Sequence, residues 1–248
     1  MDLGLADRVY VVGGGSAGIG LAVATALVEE GARVVLAGRD RDRLTAAVAG
    51  LGAERAEGLA CDLTDPATPG RLVAAARTRF GRLDGALANT GGPAPSTPAT
   101  TDDEAWQRAF ASAFLGPVRL AREVVAALGP GGSVCFVLST SARAPLPGLA
   151  ASNGLRPGLA GHVKDLADEV GPRGVRVTGL LPGRIATART VQLDTDPDSR
   201  ARAESAVPLR RYGEPDEIGR VGAFLLSPAA SYVTGSCVAV DGGSLRAL

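Results

Sequence analysis

Short apolar runs rich in β-branched residues recur along the chain, separated by longer stretches in which apolar positions return every three or four residues. The runs are Val9-Val12, Arg33-Ala37, Leu59-Cys61, Gly85-Ala88, Val134-Leu138, Val175-Leu180 and Val238-Val240. Runs without polar alternation predict strands covered on both faces, and the helical period between them predicts crossover helices. Seven strands alternating with helices imply a parallel sheet. Right-handed crossovers then give an α/β, doubly wound Rossmann arrangement, with ligands at the carboxyl ends of the strands. Helices are expected near 18–30, 40–49, 66–80, 102–128, 157–171, 198–206 and 215–226, with Asp40, Asp65 and Asp102 as N-caps.

No internal repeat or interdomain linker interrupts this pattern, so the 248 residues are expected to form one nucleotide-binding domain, 1–248. Pro93, Pro95 and Pro98 mark an extended loop after the fourth strand, and the polar stretch 184–208 sits where a substrate lid would follow the sixth. The 26 basic and 26 acidic residues balance and form no basic cluster, which argues against nucleic acid as a partner. Cys61, Cys135 and Cys237 are an odd number without a CxxC pair, as suits reduced thiols rather than a disulfide frame or metal site. No run approaches the roughly 20 apolar residues of a membrane span, and the first residues do not read as a secretory signal. A cytoplasmic location without membrane partners is therefore expected.

Gly13-Gly14-Gly15-Ser16-Ala17-Gly18-Ile19-Gly20 follows the first strand and opens a helix. Backbone N–H groups and the helix dipole can there face a pyrophosphate without obstruction by side chains. Further marks follow at intervals: Cys61-Asp62-Leu63, Ala88-Asn89-Thr90-Gly91, Pro182-Gly183-Arg184-Ile185-Ala186-Thr187, Tyr232-Val233-Thr234-Gly235 and Val240-Asp241-Gly242-Gly243. Together they resemble the short-chain dehydrogenase/reductase family, 3-oxoacyl-(acyl-carrier-protein) reductases among them, from about residue 5 to 244. In the family's Thr-Gly-x-x-x-Gly-x-Gly pattern, Gly13 replaces the threonine. The resemblance implies a nicotinamide nucleotide held by Gly14, Ser16, Gly18, Ile19, Gly20, Asp62, Leu63, Asn89, Gly91, Pro182, Gly183, Ile185 and Thr187. It also implies a homotetramer or dimer, assembled through the helices near 102–128 and 157–171 and the C-terminal strand. At the end of the second strand an acidic residue would bind both ribose hydroxyls, but this chain has Gly38-Arg39. Arg39 can pair with a 2′-phosphate through its planar fork, which favours NADP over NAD.

The catalytic residues depart from the family. There a tyrosine gives a proton to the carbonyl oxygen, a lysine one turn on lowers its pKa and holds the ribose, a serine orients the substrate, and an asparagine maintains a proton-relay water. Aligned from both flanks, Ser139 keeps the serine position, while Ser152 replaces tyrosine, Arg156 replaces lysine and Ala113 replaces asparagine. A shifted register sets Leu149 and Asn153 at the tyrosine and lysine positions and rescues nothing. Tyr10, Tyr212 and Tyr232 offer no obvious surrogate. Lys164 is the only lysine among the 26 basic residues, so an arginine preference explains Arg156 but not the missing tyrosine. Pro157 disfavours helical dihedrals at Arg156, which would start the helix at 157 and leave Ser152 on a loop. His162 reads as a helix-packing or interface residue. Arg143, Arg184 and Arg189 border the presumed pocket as anion ligands or as solvated charge.

Losing a positioned general acid forfeits about 10²–10⁴-fold in rate. The expected function is an NADP-dependent oxidoreductase acting on a small carbonyl or alcohol substrate with a nonstandard catalytic set. The alternatives are a non-redox cyclase, isomerase or dehydratase on the same scaffold, and a noncatalytic NADP-binding subunit.

Overall fold

The computed structural model describes residues 2–193 and 197–247. Strands β1 (Val9–Val12), β2 (Arg33–Gly38), β3 (Ala56–Ala60), β4 (Gly85–Ala88), β5 (Ser133–Val137), β6 (Arg176–Pro182) and β7 (Cys237–Val240) form one seven-stranded sheet. Their order is β3-β2-β1-β4-β5-β6-β7, with every pairing parallel. The order reverses between β1 and β4, the switch point at which a doubly wound sheet opens a crevice. Strands β1, β4 and β5 are buried along their whole length, which is why their sequences show no polar alternation. Edge strand β3 begins at Ala56, three residues before the apolar run Leu59-Cys61. Its pairing with β2 brings in Glu57 and Gly58, which carry no strand signal of their own.

One face is covered by α1 (Gly18–Glu29), α2 (Arg41–Leu51) and α9 (Pro215–Leu226), and the other by α3 (Thr68–Phe80), α5 (Gly116–Ala127) and α6 (Ala150–Val170). Asp40 caps α2 by accepting from the amides of Asp42 and Arg43. Asp102 caps α4 (Asp103–Phe110) by accepting from Ala105 N at 2.7 Å. Asp65 instead closes the turn before α3, where it accepts from Ala67 N, and the helix starts at Thr68.

The single helix expected over 102–128 is three pieces, α4, a π-helical turn at Ala111–Leu115 and α5. Pro117 lacks the amide that would reach Ala113, and Gly116 N bonds to Ala111 O, five residues back, in a widened turn. After β6 come α7 (Ala188–Leu193) and α8 (Pro197–Ala206). Of the segment 184–208 expected as a lid, residues 194–196 lie outside the described residues.

The carboxyl end of α9 is buried, and its free carbonyls are met by side chains from the sheet. Arg176 donates to Leu225 O and Ser227 O, both at 2.8 Å, while Tyr10 and Ser133 hydroxyls donate to Leu226 O. Burial lowers the Arg176 pKa, but its donors are spent on these carbonyls. The arrangement satisfies a helix end that water cannot reach.

His162 on α6 stands edge-on to Phe136 of β5, ring centres 5.8 Å apart, so it is a helix-packing residue. Its Nε2 is buried with no hydrogen-bond partner among the described residues, and desolvation lowers its pKa. The unfolded chain therefore takes up this proton more readily than the folded one, so stability is full above about pH 6.5 and falls as the pH drops below it. As His162 is the only histidine, His162→Leu should flatten this part of the stability profile in urea titrations between about pH 5 and 7.

Candidate active site

The loop between β1 and α1 is lashed to both neighbouring strands. Gly13 N donates to Leu87 O and Gly15 N to Ala37 O, and Asn89 Nδ2 donates to Gly13 O at 3.0 Å. Gly14 and Gly18 have φ of +56° and +54°, a left-handed backbone that disfavours other residues. At Gly20 a Cβ would lie 2.2 Å from Gly14 O, so only glycine lets α1 start this close to the loop. Ala17 gives α1 no side-chain cap, and the first amides of the helix are left for a ligand.

A cleft of about 560 Å³ opens here along the carboxyl ends of β1, β2, β3 and β4. Among the residues singled out from the sequence, Gly14, Ser16, Arg39, Asp62, Leu63, Asn89 and Gly91 line it. Asp62 accepts from Thr64 N at 2.8 Å and Thr64 Oγ1 at 2.9 Å. These bonds, with help from the Arg39 charge, hold its carboxyl below the usual carboxylate range. Arg39 is exposed and makes no hydrogen bond or ion pair among the described residues. Thr90 Oγ1 is buried in the cleft wall without a partner among the described residues.

Gly18, Ile19 and Gly20 lie outside this lining as the first turn of α1, and the other predicted residues stand beside the carboxyl ends of β5 and β6. Pro182 ends β6, and Gly183 packs so closely on Asp241 that a Cβ would lie 2.6 Å from Asp241 Cβ. The Ile185 side chain is turned into the core and only its backbone can face a ligand. Thr187 joins the two groups, since its methyl lies 3.5 Å from where a Gly18 Cβ would stand.

Ser139 follows β5 and enters a single 3-10 turn, Thr140–Ala142. Its Oγ accepts from Ser141 N at 3.1 Å, which leaves the Ser139 hydroxyl proton free to donate. Ser141 Oγ and Ser152 Oγ are 2.9 Å apart and share one buried hydrogen bond. Ser141 escaped the sequence reading; its only signal is the Ser139-Thr140-Ser141 repeat in a turn at a strand end.

Ser152 does not lie on a loop. Helix α6 begins at Ala150, runs through Pro157, and so keeps Ser152 and Arg156 one turn apart on one face. Tertiary contacts override the local proline restriction. Asn153 exchanges two 2.9 Å bonds with the Leu146 backbone, Ser96 pairs with Leu149, and the Trp106 ring packs on Gly154.

Arg156 is 4% exposed and donates through Nη1 to Val137 O at 2.9 Å. Desolvation, and then the like charge of Arg189, pulls its pKa down to about 10, so it stays a cation at neutral pH. Ala113 is fully buried in the π-helical turn. None of the tyrosines joins this wall: Tyr10 bonds to Leu226 O, Tyr212 lies under Arg184 and Arg200, and Tyr232 is fully exposed. No group of three metal-ligating side chains occurs among the described residues, and none of their helices is long and apolar enough to cross a membrane.

Residues 14–244 match the family model described as enoyl-(acyl carrier protein) reductase. The chain is 33% identical to human dehydrogenase/reductase SDR family member 4, over 97% of this chain and 88% of that protein. It belongs to the short-chain dehydrogenase/reductase family. A family relative in Mycobacterium tuberculosis, an uncharacterized oxidoreductase, is 36% identical over 96% of this chain and 92% of its own length. Among solved members, L-sorbose reductase from Gluconobacter frateurii, in complex with NADPH and L-sorbose, superposes with a TM-score of 0.92 at 32% identity, both chains covered in full.

Within this family member the Trp106–Gly154 contact sets where the serine wall stands. A Cβ on Gly154 would lie 2.6 Å from the ring. Gly154→Ala should shift the emission of Trp106, the sole tryptophan, and lower stability by about 1 kcal/mol, as overpacking outweighs the helix-propensity gain. A stabilised variant with unchanged emission would show that the ring yields freely.

Proposed function

We propose that this chain is an NADP-dependent oxidoreductase acting on a small carbonyl or alcohol substrate with a catalytic set in which Ser139, Ser152 and Arg156 take the places of the family's serine, tyrosine and lysine. The observation that carries the reading is the loop at Gly14–Gly20, with open amides beside a cleft lined by Asp62, Asn89 and Arg39, the last unpaired among the described residues. These residues fit a dinucleotide: the α1 amides face its pyrophosphate, Asp62 its adenine, and Arg39 a 2′-phosphate. Pro182, Gly183, the Ile185 backbone and Thr187 border the nicotinamide end. When bound, NADPH supplies the hydride.

The chain's own residues then orient the substrate and handle the proton. Ser139 donates its free hydroxyl proton as a hydrogen bond to the carbonyl oxygen. Ser152 supplies the transferred proton and regains one from solvent, relayed by the hydroxyl of Ser141, with which it already shares a hydrogen bond. Arg156 donates to the ribose hydroxyls and lends positive charge to the developing alkoxide, but being a guanidinium it does not give up its proton. A serine is a far weaker acid than a tyrosine. Turnover is therefore expected below that of a phenol-equipped enzyme by about 10²–10⁴-fold. This weakness is also what favours the second reading, non-redox chemistry or nucleotide binding alone. The reading further includes a lid at 184–208, a cytoplasmic location and a homotetramer or dimer.

Deuteride transfer from 4-labelled NADPH to a panel of ketones and enones tests the chemistry; label in the product alcohol or saturated ketone is expected, and saturable NADPH binding without label in any product rejects it. Cofactor choice is tested separately by titrating NADPH and NADH. NADPH should bind more tightly, and Arg39→Asp should weaken it by roughly 10–100-fold while sparing NADH.

A further inference from the structure

Two arginines at the carboxyl end of β5 have cationic groups and no acid to match among the described residues. Arg156 is almost wholly buried yet has a neutral partner only, the carbonyl of Val137. It forms no ion pair among the described residues. Burying a cation is costly unless an opposite charge meets it, and none of the described residues places one there. Arg176 shows the alternative solution, a buried guanidinium spent on several carbonyls of a helix end.

Arg189 approaches the same place from the other side. It lies on α7, which follows β6, and its guanidinium donates to Gly92 O at 2.5 Å and Pro93 O at 2.6 Å in the loop after β4. Since β5 lies between β4 and β6, this strap crosses the end of the strand that carries Ser139. The two guanidinium groups are near enough for Arg189 to disfavour the charge on Arg156. A guanidinium carries five N–H donors. Two are used on Arg189 and one on Arg156, which leaves donors on Arg156 for both a ribose and a second ligand. Arg143 and Arg184 are engaged elsewhere, with Cys237 O and Tyr212.

We infer that the substrate carries a carboxylate, held between Arg156 and Arg189 beside the carbonyl or hydroxyl that faces Ser139 and Ser152. The substrate class is thus a short oxo acid or the matching hydroxy acid. This rests on the oxidoreductase reading for the identity of the reacting group, but not for the anion site itself. The nucleotide's phosphates are assigned to the Gly14–Gly20 loop and Arg39, so they do not supply the missing charge.

The test is calorimetric titration of the full chain, with and without saturating NADP⁺, using short 2-oxo and 3-oxo acids, their methyl esters, the corresponding ketones and inorganic phosphate. An acid is expected to bind saturably, with its ester and ketone at least roughly tenfold weaker. Arg156→Met and Arg189→Met should each weaken the acid by roughly 10–100-fold, and Arg156→Lys should retain part of the affinity. Arg189 is at the surface, so its variant reports even where Arg156→Met disturbs folding, which circular dichroism reads. Esters binding as well as acids, unchanged affinity in Arg189→Met, no saturable acid binding, or phosphate preferred over every acid would each overturn the carboxylate assignment. Arginine-dependent acid binding in a chain that takes no nucleotide would keep the anion site and remove the oxidoreductase reading. Nucleotide binding without arginine-dependent acid binding would do the reverse.

Discussion

A parallel strand cannot reach its neighbour through a tight turn, so every connection in this sheet must travel back across a face before the next strand begins. The connections run through helices, and these cover β1, β4 and β5 completely. Both faces are thereby consumed by packing, and only the strand ends remain for chemistry. At the carboxyl ends the chain leaves each strand in a loop: Gly13–Ala17 after β1, Arg39–Asp40 after β2, Asn89 onward after β4, and Ser139 after β5. The residues proposed to bind the nucleotide and to act on the substrate gather there because the crossover helices occupy both faces of the sheet.

The serine wall depends on that convergence in a second way. Ser152 and Arg156 share a helical face only because the first turn of α6 exists, and local preference opposes it: Pro157 removes one helical amide and disfavours the dihedrals of the residue before it. The turn is held from outside by Asn153 on the Leu146 backbone, Ser96 on Leu149 and the Trp106 ring on Gly154. These contacts come from the loop after β4, from α4 and from the segment leading into α6. The position of the wall is thus a property of three segments far apart in sequence or separated by a proline-rich loop.

The two buried arginines separate structural from chemical uses of one side chain. Arg176 fills its donors with the carbonyls of a helix end and closes the core beneath α9. Arg156 makes a single bond and stays charged with no acid beside it among the described residues, which is a poor way to build stability and a good way to hold a ligand.

Much of this was legible in the chain. The unbroken apolar runs announced buried strands, because a residue covered on both faces has no polar alternative. The glycines of the first loop announced a close backbone approach, because a Cβ at Gly20 would meet the Gly14 carbonyl. Edge strand β3 was legible only in part, since its first residues are ordered by pairing with β2 and not by their own character. What sequence alone could not supply were the start of α6, the Ser141–Ser152 hydrogen bond and the Arg189 strap across β5. Each is decided between segments distant in the chain, where packing contacts outweigh local dihedral preference. The residue types present were therefore fixed by sequence, whereas which hydroxyl is free, which cation is unpaired and which groups face one another were settled only when the strand ends came together.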